Sequence, residues 1–468
     1  EGCLEVMKQK HWILLGIFLL TILVYLLPAP PGLSDGGNLG LTVLVFAGSL
    51  WVLEPLPLQV TGLIIPVSLV ATGLLSAEEA FAPFAAPVVF LILGSLFLAE
   101  ALRKHGITRR IALDLIVRCE GEPKLLLLTI MIVAGLTSMW IFSTAVVAML
   151  MPVCLTIATR VAEDNRQRFV TVILMALVFS STLGALSTIL GASSNAVASG
   201  ALAQQIPWSF LDWMKYGTPL AFVFLPLTWL ILIATVYPDI DRIDTDVVEE
   251  QLQDEGELSG AEKGIFYVLL SAIFLWVIGP YINDYLFFPD DLTNSAIISL
   301  CAAGVLFGTE IITWQDARQV NWGVYLIIGA GLSLGKGLHV SGLSDWFATS
   351  LAYVIQGYPY LIMMAVLIPV TALLSNAVNN TTVVAILAPV MADAAASLSL
   401  SVTQLMLPMA FGATFGFLVP AASSRMALAY ASGNVDAEDM IKIGSIVTFP
   451  LLALTVLYFY LLFYLGLI

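Results

Sequence analysis

Charge is what this chain has least of. Only 11% of its 468 residues are Asp, Glu, Lys or Arg, against about 25% in soluble domains, which excludes an ordinary soluble globular protein. Histidine occurs three times, and Cys3, Cys119, Cys154 and Cys301 are scattered without CxxC spacing, so neither a zinc site nor a disulfide framework is indicated. No HExxH, GxSxG or GxxxxGK[ST] motif is present, and no paired Asp falls in an apolar run. Intramembrane enzymes lack their chemical groups here, and a primary pump would need a separate ATPase subunit. No basic patch with interleaved aromatics exists, which removes nucleic acid as a partner. The chain reads as a non-enzyme without an organic cofactor.

What is present is apolar: 59% of residues are hydrophobic and the mean hydropathy is +0.97. This is the composition of a polytopic protein of the lipid bilayer. Runs near the length that crosses about 30 Å of hydrocarbon fall at roughly 11–28, 39–53, 58–75, 87–102, 169–190, 218–236, 264–282, 293–308, 322–337, 405–421 and 441–468. Two further apolar regions, about 125–159 and 359–397, are each interrupted by a polar cluster. Each is either two full spans or one re-entrant hairpin. The letters EGCLEV before Met7 read as a non-native extension.

Residues 144–153, TAVVAMLMPV, return as residues 381–390, TTVVAILAPV, with seven of ten positions identical at an offset of 237. A match across two halves of an apolar chain indicates internal duplication, and in transporters duplicated broken elements frame the substrate site. Between the halves, residues 238–263 hold ten acidic residues against Arg242 and Lys263, about half of the net charge of −15. We read them as a solvated linker.

Positive charge orients the chain. With Lys8 and Lys10 inside and each interrupted region counted as a hairpin, fifteen of the eighteen Lys and Arg residues are cytoplasmic. Lys215 and Lys336 lie outside and Arg425 lies in a span. The expected fold is all-α: eleven transmembrane helices plus two re-entrant hairpins in two inverted repeats. Its parts are a tail and first helix (1–38), repeat 1 (39–237) with an inward-opening hairpin, the cytoplasmic linker (238–263), and repeat 2 (264–468) with an outward-opening hairpin. The N-terminus is cytoplasmic, the C-terminus outside, and the membrane is the cell's inner (plasma) membrane.

Four polar clusters sit where the spans break: Ser138 with Ser143 and Thr144; Gly191 to Asn195; Ser375 with Asn379, Asn380 and Thr381; and Ala422 to Arg425. Unwound helices must satisfy their freed amides and carbonyls with a cavity, an ion or a ligand. Hydroxyl, amide and carbonyl oxygens suit a small cation such as sodium, and half-helix N-termini suit an anion. The candidate anion-facing residues are Ser143, Thr144, Ser193, Ser194, Asn195, Asn379, Asn380, Thr381, Ser423, Ser424 and Arg425. An arginine this deep is costly; it is either a fixed cation for the anion, able to grip carboxylate or sulfate with two N–H groups, or part of a scaffold ion pair or a snorkelling side chain. His105 and His339 hold similar positions near the ends of the repeats, as proton-coupling groups or as loop histidines. Lys336 either attracts anions on entry or snorkels.

The stretch WVLEPLPLQVTGLIIP at 51–66, Ser138-Met-Trp140 before the first tip, and GAGLSLG at 329–335 with SGLSDW at 341–346 resemble the divalent anion/sodium symporter family of di- and tricarboxylate carriers. The likeness covers nearly the whole chain after the first helix. It implies sodium ligands Ser138, Ser143 and Gly191 in one half and Ser375, Asn380 and Ala422 in the other. It further implies anion contacts at Thr144, Ser193, Asn380, Thr381, Ser423 and Ser424, a homodimer, and an elevator-like step. The family's Ser-Asn-Thr triplet at each tip is here Phe142-Ser143-Thr144 and Asn379-Asn380-Thr381, so the second cation site is the better kept. The functional expectation is a sodium-coupled, elevator-type secondary transporter of a small divalent anion: dicarboxylate, citrate or sulfate. The alternatives are a sodium-independent anion exchanger with Arg425 as fixed counter-charge, and an anion channel.

Overall fold

The structure is a computed structural model that describes residues 2–240, 242–286, 290–355 and 357–468; residue 241 of the acidic linker lies outside them. Among the described residues every regular element is helical. The first half runs α1 (Gly2–Leu26), α2 (Asp35–Leu53), α3 (Leu58–Ala71), α4 (Ala77–Phe81), α5 (Pro87–Lys104), α6 (Ile107–Val117), α7 (Pro123–Trp140), α8 (Ser143–Ala158), α9 (Glu163–Ala185), α10 (Ser193–Gln205) and α11 (Phe210–Thr235). After α12 (Asp246–Asp254) the second half runs α13 (Gly260–Leu286), α14 (Ser295–Gly308), α15 (Trp314–Ala317), α16 (Trp322–Val340), α17 (Leu343–Ile355), α18 (Tyr360–Ala377), α19 (Asn380–Ser397), α20 (Val402–Ala413), α21 (Ser424–Ala431) and α22 (Ala437–Tyr464).

Nine described helices are long and apolar enough to cross a bilayer, ten if the bent pair Ala77–Ala85 and Pro87–Lys104 counts as one span. Six of the eleven expected spans are helices of that length, and a seventh is the bent pair. The remaining four, at 11–28, 58–75, 293–308 and 405–421, are shorter apolar helices. The last differs for a local reason: α20 ends at Ala413, and residues 414–423 leave the helical path before α21 begins. The chain is thus a multi-pass helical membrane protein, with breaks where unbroken spans would have been simplest.

The two interrupted regions break alike. Ile141 and Phe142 are extended between α7 and α8, and Val378 and Asn379 are extended between α18 and α19. In each case two residues outside the α region stop one helix and start the next, with no glycine needed. The repeated decapeptide forms the first turns of α8 and α19, and its proline, Pro152 or Pro389, lies inside the helix.

Helix α9 is the most enclosed span, with 94% of its apolar window buried. It packs against α7, α8 and α11. Lipid offers no hydrophobic gain for such packing, so close backbone approach must hold it. A Cβ on Gly184 would meet the Gly135 carbonyl oxygen of α7 at 2.0 Å, so only glycine fits this crossing.

On the side that carries most of the basic residues, the linker is more ordered than a solvated acidic strap. Arg109 pairs with Glu255 and donates to Gln251, and Arg110 pairs with Glu262 at 3.2 Å. Ile243 N–H donates to the Gly121 carbonyl at 3.0 Å, and Ile243 and Val248 are buried. The acidic run therefore folds over α6 because its charge complements two arginines there and two apolar side chains anchor it. Nearby, Lys104 binds Asp316 at 2.8 Å, and that hydrogen bond holds the Asp316 carboxyl down at about 2.

Candidate functional site

Four helices begin at one place. The starts of α8, α10, α19 and α21 all border a single cavity, with Phe142, Thr144, Ala192, Ser193, Ser194, Asn379, Asn380, Thr381, Thr382, Ser423, Ser424 and Arg425 at its wall. Each helix start follows an extended residue: Phe142, Ala192, Asn379 or Ser423. The backbone breaks are what aim four N-termini inward.

Some first-turn amides are already satisfied. Asn379 Oδ1 accepts from Thr381 N–H at 2.9 Å, and Ser143 N–H donates to the Gly191 carbonyl at 3.1 Å. Among the described residues the amides of Ser193, Ser194, Asn380, Ser424 and Arg425 have no acceptor. Such amides, with about half a positive charge at each helix start, suit an anion.

The two halves meet here through side chains in a reciprocal pattern. Ser193 of α10 and Thr381 of α19 share a hydroxyl hydrogen bond of 2.6 Å. Arg425 of α21 donates from a terminal nitrogen to Ser143 Oγ of α8 at 2.5 Å. Each contact joins a helix start of one half to a helix start of the other.

Arg425 is 6% exposed, its Nε has no partner, and no carboxylate pairs with it among the described residues. A scaffold ion pair is therefore not what keeps it, and a snorkelling side chain would not be buried against Ser143. A guanidinium in such surroundings is costly unless its donors are met by an anion or by hydrogen-bond acceptors. The cavity wall it occupies is where that anion would sit.

The residues expected to hold sodium divide unequally. Ser138 and Ser375 occupy the same place near the C-terminal ends of α7 and α18, both fully buried and both with an unpartnered hydroxyl. In the second half both side-chain atoms of Asn380 are also unpartnered, at 4% exposure. A Cβ on Gly416 would meet Asn380 Oδ1 at 2.6 Å, the Ala422 Cβ at 3.0 Å and the Ser375 carbonyl at 3.3 Å. Glycine thus leaves room between three groups that the sequence assigned to one cation. The donors there, hydroxyl, amide and carbonyl oxygen, fit sodium.

In the first half Ser143 Oγ and the Gly191 carbonyl are taken, although the Ser138 hydroxyl stays unpartnered. Ser143 Oγ donates to the Gly191 carbonyl at 2.8 Å and accepts from Arg425. A cation at about 2.4 Å from Ser143 Oγ would lie within ~5 Å of the guanidinium, a repulsion of roughly 3 kcal/mol at an effective dielectric of 20. These residues fit a second positive ion poorly.

Of the remaining expected residues, Thr144, Ser193, Ser194, Asn379, Thr381, Ser423 and Ser424 reach the cavity. Asn195 does not. Its amide nitrogen donates to the carbonyls of Ala185 and Thr188, each at 2.8 Å, and so closes the break between α9 and α10. Ser143 lies behind the wall and holds Arg425. The opposite wall was not foreseen: Trp51, Leu58, Gln59, Asn321, Val324 and Ile327 complete the cavity from α2, α3, α16 and the residue that precedes α16. The breaks signalled one wall, whereas nothing local in an unbroken span marks the other.

The sodium:sulfate symporter transmembrane-region model matches residues 8–466. An uncharacterized transporter of Haemophilus influenzae is 28% identical over 437 residues, covering 92% of each chain. The sodium-dependent dicarboxylate transporter SdcS of Staphylococcus saprophyticus is 26% identical over 453 residues, with 92% of this chain and 86% of that one covered. Among solved structures, MtrF of Neisseria gonorrhoeae superposes with a TM-score of 0.56 at 12% identity, covering 98% and 94% of the two chains. YdaH of Alcanivorax borkumensis gives 0.52 at 13%, with 83% and 87% covered. At those identities the likeness is one of fold. With its helical, multi-pass architecture and a family match over almost its whole length, this chain belongs to the sodium:sulfate symporter family of membrane transporters.

Proposed function

We propose that the chain is a secondary active carrier of a small divalent anion, of the dicarboxylate, citrate or sulfate class, coupled to sodium. The observation that carries the reading is the convergence of four helix N-termini and a buried Arg425, without a carboxylate partner among the described residues, on one cavity. Two carboxylates of one substrate can divide between them: one on the guanidinium, one on the free amides of α10 and α19. The relatives named as sodium-dependent dicarboxylate transporters support the same class.

In this reading sodium binds in the second half, between Ser375, Asn380 and Ala422, while Arg425 supplies the positive charge in the first. Sodium there would order the start of α19, whose Asn380 and Thr381 face the anion, and this gives the coupling. The two interrupted regions act as re-entrant hairpins in inverted repeats, a view the reciprocal contacts Ser193–Thr381 and Ser143–Arg425 support. The hairpin-bearing part moves against the rest in an elevator-like step, the carrier is a homodimer, and the N-terminus is cytoplasmic with the C-terminus outside.

A second reading, sodium-independent exchange, is favoured by Arg425 on Ser143, because a fixed charge lowers the need for a mobile one. Uptake of labelled succinate, citrate and sulfate into proteoliposomes decides between the two. Symport requires uptake to rise at least tenfold with an inward sodium gradient. Equal uptake without sodium, driven instead by internal unlabelled anion, would establish exchange, and currents above carrier turnover would establish a channel.

A further inference from the structure

At the far end of two of the helices that wall the anion cavity lies a second cluster. His339 closes α16, Asp345 lies in the first turn of α17, and Asp393 is in the last turns of α19. One ligand atom from each lies within 4.8 Å of the other two. His339 Nδ1 is 3.2 Å from the carboxylate of Asp393. This is the only group of three such side chains with that spacing among the described residues.

We propose that His339, Asp345 and Asp393 form a binding site for a divalent transition-metal ion, zinc above all, that ties α19 to α16 and α17. One imidazole and two carboxylates are a ligand set for such an ion, with a fourth position left for water. At zinc–ligand bonds of about 2.0–2.2 Å, tetrahedral ligands stand roughly 3.4 Å apart. The His339–Asp393 pair already has that spacing. Asp345 must close by at most about 1.4 Å, which rotation of an exposed side chain supplies.

The surroundings define the site further. His339 is 57% exposed and Asp393 only 11%, so the carboxylate is fixed and the imidazole is free to turn. Lys336, one turn before His339, lines the crevice that runs past His339 and Asp393, and its charge opposes a divalent ion, which keeps affinity moderate. The opposite half does not repeat the device. His105 faces the Ile311 carbonyl at 3.2 Å and Lys104 occupies Asp316, so among the described residues no pair of carboxylates completes such a group with that imidazole.

Position makes the site consequential. Val324 and Ile327 of α16 and Asn380 to Thr382 of α19 line the anion cavity, and Asp393 lies about 20 Å further along α19 at 1.5 Å per residue. An ion held between the helix ends fixes the separation of two cavity walls. On the carrier reading above, on which this consequence rests, zinc inhibits transport from the outer side.

The test uses tag-free purified protein titrated with zinc chloride, by calorimetry and by competition with a fluorescent chelator. The expected result is one zinc per chain in the micromolar range, weakened at least tenfold in both His339→Ala and Asp393→Asn and unchanged in Arg425→Ala. In proteoliposomes, the same zinc concentration should block anion uptake by the wild type and spare His339→Ala. No stoichiometric binding, equal binding in the variants, or binding that leaves uptake unchanged overturns the proposal. Zinc binding as expected in a protein that takes up none of the three anions would instead overturn the carrier reading and uphold the site.

Discussion

The breaks at residues 141–142 and 378–379 share a backbone and differ in chemistry. Both are two extended residues between helices, and both deliver a threonine, Thr144 or Thr381, to the same cavity. Yet Ser143 spends its oxygen on Gly191 and Arg425, whereas Asn380 keeps a carbonyl and an amide unpartnered beside Ser375 and Gly416. On the proposed reading, two similar breaks serve once to hold a fixed cation and once to leave a cradle for a mobile one. The difference shows that a similar backbone does not require similar chemistry: Phe142 and Ser143 against Asn379 and Asn380, together with Arg425, set the two apart.

The sharpest way to break this asymmetry is Arg425→Ala. Losing charge-assisted hydrogen bonds worth about 1.5–3 kcal/mol each should lower anion affinity roughly a hundredfold, read by thermal shift or calorimetry. Arg425→Lys should recover part of it, since an ammonium keeps the charge without the planar fork. Unchanged affinity in Arg425→Ala would mean the guanidinium faces no anion.

Next in size is the second cradle. Gly416→Ala places a methyl against Asn380 Oδ1 and should raise the sodium concentration for half-maximal uptake about tenfold, a loss near 1.4 kcal/mol. The matched pair Ser375→Ala and Ser138→Ala then compares the halves directly. Both hydroxyls are buried and unpartnered, so neither removal should destabilise the fold. Ser375→Ala should weaken sodium dependence several-fold and Ser138→Ala should leave it in place. Equal effects would restore symmetry and make Arg425 a bystander to cation binding.

The smallest effect on binding belongs to Asn195→Ala. It removes two hydrogen bonds to buried carbonyls, costing about 1–3 kcal/mol of stability, so the melting temperature should fall while anion affinity stays within twofold. A large loss of affinity at an unchanged melting temperature would return Asn195 to the cavity.

Much of this was legible in residue order. Low charge and long apolar runs imply the membrane, the repeated decapeptide marks α8 and α19, and polar clusters inside apolar runs mark the four helix starts. Asn195 was misplaced because its type and position match those of a ligand, and only the fold around residues 185–188 turns its amide onto backbone carbonyls. Gln59, Asn321 and Gly416 carry no local signal, since each lies in sequence that would read the same in a packed helix.

What the sequence determined alone is therefore whatever depends on neighbours along the chain: apolar length, the points where helices stop, the repeated decapeptide, and an arginine costly at that depth. The tertiary structure decided which groups face one another. Arg425 meets Ser143 across 282 positions and Ser193 meets Thr381 across 188, distances at which no periodicity or propensity acts. Close helix packing brings those pairs together, and their separation in space rather than in sequence sets which half holds the Arg425 guanidinium and which keeps its oxygens unpartnered.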